Sequence, residues 1–248
     1  IGQVGPLDGY MGSDRTLSIT GSLLFVTFNK ITANRSQRDL DLGYTFGDNH
    51  LSVIALQGVP SNGDGTESRP GNHYDWEFQY LRWLDKAGSS VQAIYHVGQT
   101  PLNDSGSLVD NFSQFYLLGN WRLPMRKNRA FNLLGGYGID SHDKLLSPAS
   151  PATPSTSGRF DAQSYFVELN YELSSKLAPY IRYDAIHSNE GDFGAIASGN
   201  PVSHNNQWLI GIAQQPARNL RISLEYAASR PAGRPNVDQI RGQLWFIY

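Results

Sequence analysis

The stretch LRISLEYAA, residues 220–228, alternates between two kinds of side chain. The first, third, fifth and seventh positions are Leu, Ile, Leu and Tyr, while Arg221, Ser223 and Glu225 stand between them. Successive side chains of a β-strand point to opposite faces, so this period of two predicts a strand with one apolar and one polar face. A shift of one residue would turn every charge towards the apolar side, so the pattern also fixes the register of the strand.

The same alternation recurs along the chain, for example in 74–80, 164–172 and 179–186. Several segments have about 9–11 residues, which is the length of a tilted membrane-spanning strand. We therefore predict twelve strands, an even number within the range of bacterial barrels. They lie near 16–29, 36–46, 50–57, 73–83, 90–98, 111–123, 131–139, 162–172, 178–187, 205–214, 219–229 and 237–248.

The connections between these strands alternate in length. Short turns are predicted at one end of the sheet, and longer loops such as 58–72, 99–110, 140–161 and 188–204 at the other end. Membrane barrels have this arrangement, with short periplasmic turns and longer outer loops. The short turns are predicted near 47–49, 85–88, 124–128, 173–176 and 215–219.

Composition supports a barrel in a membrane. Charged residues make up 17% of the chain, compared with about 25% in a typical soluble domain. The mean hydropathy is −0.39, and no run approaches the roughly 20 apolar residues of a membrane helix. Alternating lipid-facing and lumen-facing residues keep the average hydropathy of a barrel low. We predict an all-β fold, a transmembrane antiparallel up-and-down β-barrel of about twelve strands over residues 16–248, preceded by a lead-in or plug segment at 1–15.

The last strand resembles those of bacterial outer-membrane β-barrel proteins of the porin-like kind. It ends in QLWFIY, residues 243–248, and the stretches 179–184 and 219–226 also resemble late porin strands. The resemblance implies an integral protein of the bacterial outer membrane that contacts outer-membrane lipids and lipopolysaccharide. It also implies that the barrel assembly machinery reads alternate residues of the last strand as a membrane-assembly signal, here Leu244, Phe246 and Tyr248.

Strand parity predicts which charged side chains line the lumen. Acidic residues favour the second, fourth and eighth predicted strands, and arginines favour the last four. Two interpretations stay open: opposed walls of charge could orient polar solutes in a pore, or the charges could pair as a structural plug. The predicted lumen-lining residues are Asp39, Asp41, Asp75, Glu77, Arg122, Glu168, Arg182, Asp184, Arg221, Glu225 and Arg241.

Three functions fit these patterns. The first is a porin-like channel for passive diffusion of small polar solutes or ions. The second is a non-conducting structural or anchor barrel, as a homo-oligomer or as a subunit of a larger envelope complex. The third is an outer-membrane lipid hydrolase, because His187–Gly191 loosely resembles the His-x-Ser-Asn-Gly motif of outer-membrane phospholipases. Its His187 and Ser188 are adjacent, so a strand would place them on opposite faces.

The sequence predicts no catalytic residue and no cofactor or metal site, and hence no enzyme. The chain has no Cys, which excludes disulfides and thiolate ligands, and its six His lack metal-ligand spacing. The stretch 62–67 has alternating oxygen ligands but lacks the rest of a calcium loop. A net charge of −2 gives no indication of a nucleic-acid partner.

Overall fold

A computed structural model describes residues 2–4, 37–57, 74–101, 109–126, 129–143, 159–174, 177–188, 204–217, 220–231 and 235–246. β-Strands are the only regular secondary structure among these described residues. The strands are β1 (Gly2–Val4), β2 (Gln37–Phe46), β3 (Asn49–Gln57), β4 (Tyr74–Trp83), β5 (Ser90–Pro101), β6 (Val109–Met125), β7 (Arg129–His142), β8 (Phe160–Glu172), β9 (Leu177–Ser188), β10 (His204–Ala217), β11 (Leu220–Pro231) and β12 (Val237–Phe246).

The twelve strands form one antiparallel sheet in which each strand pairs with the next in chain order. Eleven of the predicted strands, from 36–46 to 237–248, correspond to β2–β12, and most of them extend a few residues further than the periodicity indicated. The predicted first strand, 16–29, lies outside the described residues. The short strand β1 was not predicted, and it pairs with the first residues of β2 at the long-loop end of the sheet.

The predicted alternation of connection length is confirmed. Strands β2–β3, β4–β5, β6–β7, β8–β9 and β10–β11 are joined by short turns at one end, and the connection from β3 to β4 spans 58–73 at the other. Gly47 and Gly88 occupy two of the short turns with φ of 56° and 97°, a left-handed conformation that a side chain disfavours. In the second turn, the hydroxyl and the N–H of Ser89 bond the carboxylate of Asp85 and lower its pKa.

The two faces of the sheet are inverted relative to those of a soluble protein. Charged side chains such as Glu168 and Arg182 are fully buried on one face. Apolar side chains such as Leu224 and Ile210, each more than half exposed, cover the other. In water the reverse distribution is favourable, because removing apolar surface from water lowers the free energy. The outer face therefore matches an apolar surrounding.

The inner face is concave, and this makes the fold a barrel. Side chains reach over an intervening strand: Arg122 of β6 bonds Glu172 of β8, and Tyr180 of β9 bonds Glu225 of β11. In a flat sheet such strands lie about 9–10 Å apart, twice the normal strand spacing. The predicted fold class, an all-β antiparallel up-and-down barrel, is confirmed.

Exposure of the inner face rises at both edges of the described sheet. Asp41 of β2 and Gln239 of β12 are exposed, although they lie on the same face as the buried residues of the central strands. Within the described residues, no helix is long and apolar enough to cross a membrane.

Candidate functional site

The structure places the predicted lumen-lining residues on the inner face wherever their side chains are described. Six are buried there: Asp75, Glu77, Glu168, Arg182, Asp184 and Glu225. Arg122, Arg221 and Arg241 are half-buried on the same face, and exposed Asp41 accepts a hydrogen bond of 2.5 Å from the buried Ser52 hydroxyl. The backbone of Asp39 belongs to β2, but its side chain lies outside the described part of the chain.

The centre of the inner face holds a buried ion cluster. Arg182 lies opposite Glu168 in the β8–β9 pairing, and Asp184 follows two residues later on the same face. The guanidinium is 2.9 Å from the Asp184 carboxylate and 3.8 Å from that of Glu168, and all three side chains are fully buried. It also lies 4.6 Å over the ring of Phe166. One cation thus stabilises two carboxylates that water does not reach.

An apolar cluster lies beside these ions, inside the barrel. It draws on four consecutive strands, β5–β8, and the hydroxyl of its Tyr116 donates a 2.7 Å hydrogen bond to Asp140. The lumen-lining residues predicted from the sequence are all charged, so this cluster was not predicted. Strand parity could have found it, because Phe166 shares the face of Glu168. The cluster consists of Ile94, Tyr116, Leu118, Leu134 and Phe166.

The packed layer continues towards the long-loop end. The ring of Phe112 lies between two imidazoles, with centroids 5.0 Å from His96 and 5.7 Å from His142. His96 Nε2 lies 3.9 Å from a carboxylate oxygen of Asp75, and all four side chains are almost completely buried. A methyl group on neighbouring Gly98 would collide with Asp75 and Phe112. The inner face is therefore filled by side chains at this level as well.

A second close approach involves Gly211 of β10. It pairs with Tyr180, whose ring passes over it to donate a 2.8 Å hydrogen bond to Glu225 of β11. We expect Gly211→Ala to destabilise the barrel by about 1–3 kcal/mol, because the new methyl group would overlap the Tyr180 ring and lie 2.8 Å from the Leu224 carbonyl oxygen. Urea unfolding of the refolded barrel in lipid vesicles measures the change.

The matched control for that substitution is Gly119→Ala. Gly119 lies within β6, and a methyl group there would meet no atom within 4 Å. We expect the unfolding midpoint of Gly119→Ala to stay close to that of the original protein. Equal midpoints for the two variants would contradict the packing of Tyr180 over Gly211.

A cavity of about 510 Å³ opens at the short-turn end of the barrel. Its lining includes Leu134 of the buried apolar cluster, and Gly88, Ser174 and Leu177 from the turns. Arg122 of β6 and Glu172 of β8 form a bidentate ion pair over β7, with N–O distances of 2.5 and 2.6 Å. Asn132 donates a hydrogen bond to the same carboxylate. The cavity is therefore a polar vestibule that adjoins the packed interior.

A polar collar lies at the opposite end, on the outer face of β7 and β8. Ser141 and Arg159 both donate to the carboxylate of Asp161, at 2.6 and 2.9 Å. The hydrogen bond from Ser141 is the main cause of a lowered pKa at Asp161, and the bond to Asp161 raises the pKa of Arg159. These groups lie beyond the exposed apolar side chains of the same strands, so the strands extend past those side chains towards the long loops.

The first two residues of the hydrolase motif lie on opposite faces of β9, and the remaining three, 189–191, lie outside the described residues. His187 is exposed on the outer face, whereas Ser188 is buried on the inner face. This geometry gives His187 no direct route to the Ser188 hydroxyl. Among the described residues, no three His, Asp or Glu side chains converge on a point that could hold a metal ion.

No family model matches the chain, and no curated protein matches it. A solved structure, the beta domain of the Bordetella autotransporter BrkA, is similar at 9% identity and a TM-score of 0.40. That similarity covers 86% of this chain and 89% of the other. The class of protein follows instead from the order of the strands and from the burial of charged side chains inside and the exposure of apolar side chains outside. An up-and-down barrel with charges inside and apolar side chains outside is the fold of outer-membrane β-barrels.

Proposed function

We propose that this chain is an integral β-barrel of the bacterial outer membrane with a closed interior, acting as a structural or anchor subunit of the cell envelope. The observation that carries the proposal is the complete burial of Tyr116, Glu168 and Arg182 on the inner face. In a water-filled channel, side chains of the wall would be exposed to the lumen. Here the inner face of the central described strands is covered by buried ion pairs and rings.

The membrane location is supported by the outer face. Exposed apolar side chains follow one another along neighbouring strands, and aromatic rings such as Trp121 and Trp208 accompany them. A continuous apolar surface of this kind is unusual in a soluble monomer, and lipid is the solvent that matches it. Aromatic side chains are enriched where a membrane protein meets the headgroups. The belt includes Leu117, Leu133, Val167, Leu169, Ile181, Ile210, Ile212 and Leu224.

Conductance in a planar lipid bilayer tests the closed interior. We expect no stable current steps from the original protein. The double variant Tyr116→Ala, Phe166→Ala removes two rings from the buried cluster, and we expect it to conduct because a water-filled path replaces them. The matched control is Tyr137→Ala with Tyr165→Ala, which removes two rings from the outer face and leaves the interior intact. Steady, discrete conductance from the original protein would contradict the proposal.

The second candidate is a porin-like channel for small polar solutes or ions. The polar vestibule favours it, because a cavity of about 510 Å³ already penetrates the barrel from the short-turn end. Passage would require the layer around Tyr116 and Arg182 to move aside. In the conductance experiment, this candidate predicts current steps from the original protein that do not need the ring substitutions.

Partners follow from the proposed location. Outer-membrane lipids and lipopolysaccharide would contact the apolar belt and the polar collar, and the barrel assembly machinery would read the last strand. Leu244 is exposed on the outer face of β12, as a lipid-facing signal residue should be. Phe246 ends β12, and Tyr248 lies outside the described residues. If the barrel acts as an anchor, we expect it to bind either another protein of an envelope complex or a second copy of this chain.

A further inference from the structure

We propose that the short-turn end of the barrel carries a docking surface for acidic phospholipid headgroups, centred on the hairpin of β6 and β7. Arg126 and Arg129 are exposed at this hairpin, and Arg82 and Lys86 are exposed at the neighbouring hairpin of β4 and β5. These four side chains are called the cationic rim below. The inference rests on the proposed membrane location, and it assigns a lipid of defined charge to one end of the barrel.

The cationic rim has a surplus of positive charge. The exposed acids of the described short turns are Asp48 and Asp85, so four cations stand against two carboxylates. The Asp85 carboxylate already accepts a hydrogen bond from the Ser89 N–H within its own turn. No cation of the rim forms an ion pair with another described residue. A negatively charged ligand would therefore find a favourable electrostatic potential at this end.

The arginines at the long-loop end are arranged differently. Arg159 lies 2.9 Å from a carboxylate oxygen of Asp161, and Arg230 lies 2.7 Å from one of Asp238. Both arginines thus have an acidic partner within the protein. The contrast between the two ends favours an external anion at the short-turn end, and it supplies a matched control for the experiment.

The β6–β7 hairpin fits a phospholipid better than it fits an acidic protein. On the outer face of β6, Trp121, Leu123 and Met125 are 60%, 52% and 46% exposed. Met125 pairs with Arg129, so apolar side chains and then cations follow one another along the hairpin. A phospholipid has the same order, with apolar chains and then a phosphate, and a guanidinium bonds a phosphate through its planar fork of N–H groups. A soluble acidic protein would match the cations alone.

Trp121 provides a fluorescent probe of this surface. It pairs with Leu133, four residues from Arg129, and therefore lies about 13 Å from the level of that arginine along the strands. The acyl chains of a lipid whose phosphate meets Arg129 would pass this ring. Bromine atoms on those chains would quench the Trp121 fluorescence, so the quenching measures how often a given lipid occupies the surface.

The test uses the full chain with Trp121 retained and the other four of its five tryptophans replaced by Phe. The barrel is refolded into phosphatidylcholine vesicles that contain a minor share of brominated phosphatidylglycerol or, for comparison, the same share of brominated phosphatidylcholine. We expect phosphatidylglycerol to bind beside Trp121 about fivefold more tightly, because one surface cation contributes roughly that factor for an anionic lipid.

Two double substitutions assign this preference to the rim. Arg126→Gln with Arg129→Gln should reduce the preference for phosphatidylglycerol at Trp121 to about twofold or less. Arg159→Gln with Arg230→Gln removes the same charge at the other end and should leave the preference at Trp121 unchanged. Migration as a folded barrel on a gel without heating shows that each variant still folds.

A second single-tryptophan variant, which retains Trp208, tests the other end. Trp208 is exposed on the outer face of β10 and pairs with Ala228, two residues from Arg230. Because Arg230 is paired with Asp238, we expect the two brominated lipids to quench Trp208 equally. If a single-tryptophan variant does not fold, native mass spectrometry of the original protein and of the Arg126→Gln, Arg129→Gln variant measures the same lipid preference.

Equal binding of the two lipids beside Trp121 would overturn the proposal and would leave an acidic protein as the partner of the rim. An undiminished preference in the Arg126→Gln, Arg129→Gln variant would overturn it as well. Quenching of Trp121 by brominated phosphatidylcholine tests the membrane location separately, because it requires contact with lipid of any charge. If phosphatidylcholine quenches and phosphatidylglycerol is not preferred, the docking surface fails and the membrane location stands. If neither lipid quenches Trp121 or Trp208, both fail.

Discussion

Replacing Arg182 with Leu is expected to destabilise the barrel by about 3–5 kcal/mol. Arg182 is the cation that lies between Glu168 and Asp184, and all three side chains are fully buried. Without it, two carboxylates remain in a region that water does not reach, and the ring of Phe166 loses the guanidinium that lies over it. Urea unfolding in lipid vesicles, followed by tryptophan fluorescence, measures the loss.

Two further variants separate the loss of charge pairing from the loss of packing. Arg122→Leu removes an arginine that is also paired on the inner face, but Arg122 and Glu172 are each about one-third exposed, so we expect at most about 1 kcal/mol. In the triple variant Arg182→Met, Glu168→Gln, Asp184→Asn no charge of this cluster remains, and most of the lost stability should return. If the triple variant is no more stable than Arg182→Leu, the buried charges are not the cause.

The sequence was sufficient for the strands because a single physical constraint acts along the whole chain. Each wall residue faces either the interior or the outer surface, so a period of two appears wherever the chain forms the wall. The stretch 220–228 is an example, with Leu224 exposed and Glu225 buried as its parity predicts. The lengths of the connections could be predicted from the same period of two, since each break in the alternation marks a connection.

The interior could not be predicted to the same depth. The alternation along each strand predicts that Phe166 and Tyr116 point inwards. It does not predict how far the two rings reach or which side chains cover them. The filling of the lumen depends on curvature and on contacts between strands that are far apart in sequence, such as Tyr180 over Gly211 and against Glu225. The sequence did not predict the vestibule for a related reason. Its lining comes from the short-turn ends of several hairpins, and no local sequence pattern links Arg122 to Arg221.

Val167→Arg is the substitution that decides which solvent surrounds the barrel. Val167 lies near the middle of β8 on the outer face and is 49% exposed. In water, an arginine at an exposed position should change stability by no more than about 0.5 kcal/mol. In a bilayer, a guanidinium at mid-depth costs about 2–4 kcal/mol, because the hydrocarbon region cannot solvate it. We expect the larger value for the barrel refolded into lipid vesicles.

Gln163→Arg on the same strand is the control. Gln163 is exposed on the outer face near the polar collar, two residues from Asp161, where the headgroups would solvate a charge. The penalty for arginine falls to about 0–1 kcal/mol near the membrane interface, so this variant should unfold close to the original protein. A dependence on depth along one strand is a property of a bilayer and not of water. If both variants are as stable as the original protein in vesicles, the outer face of β8 does not meet lipid and the membrane assignment fails.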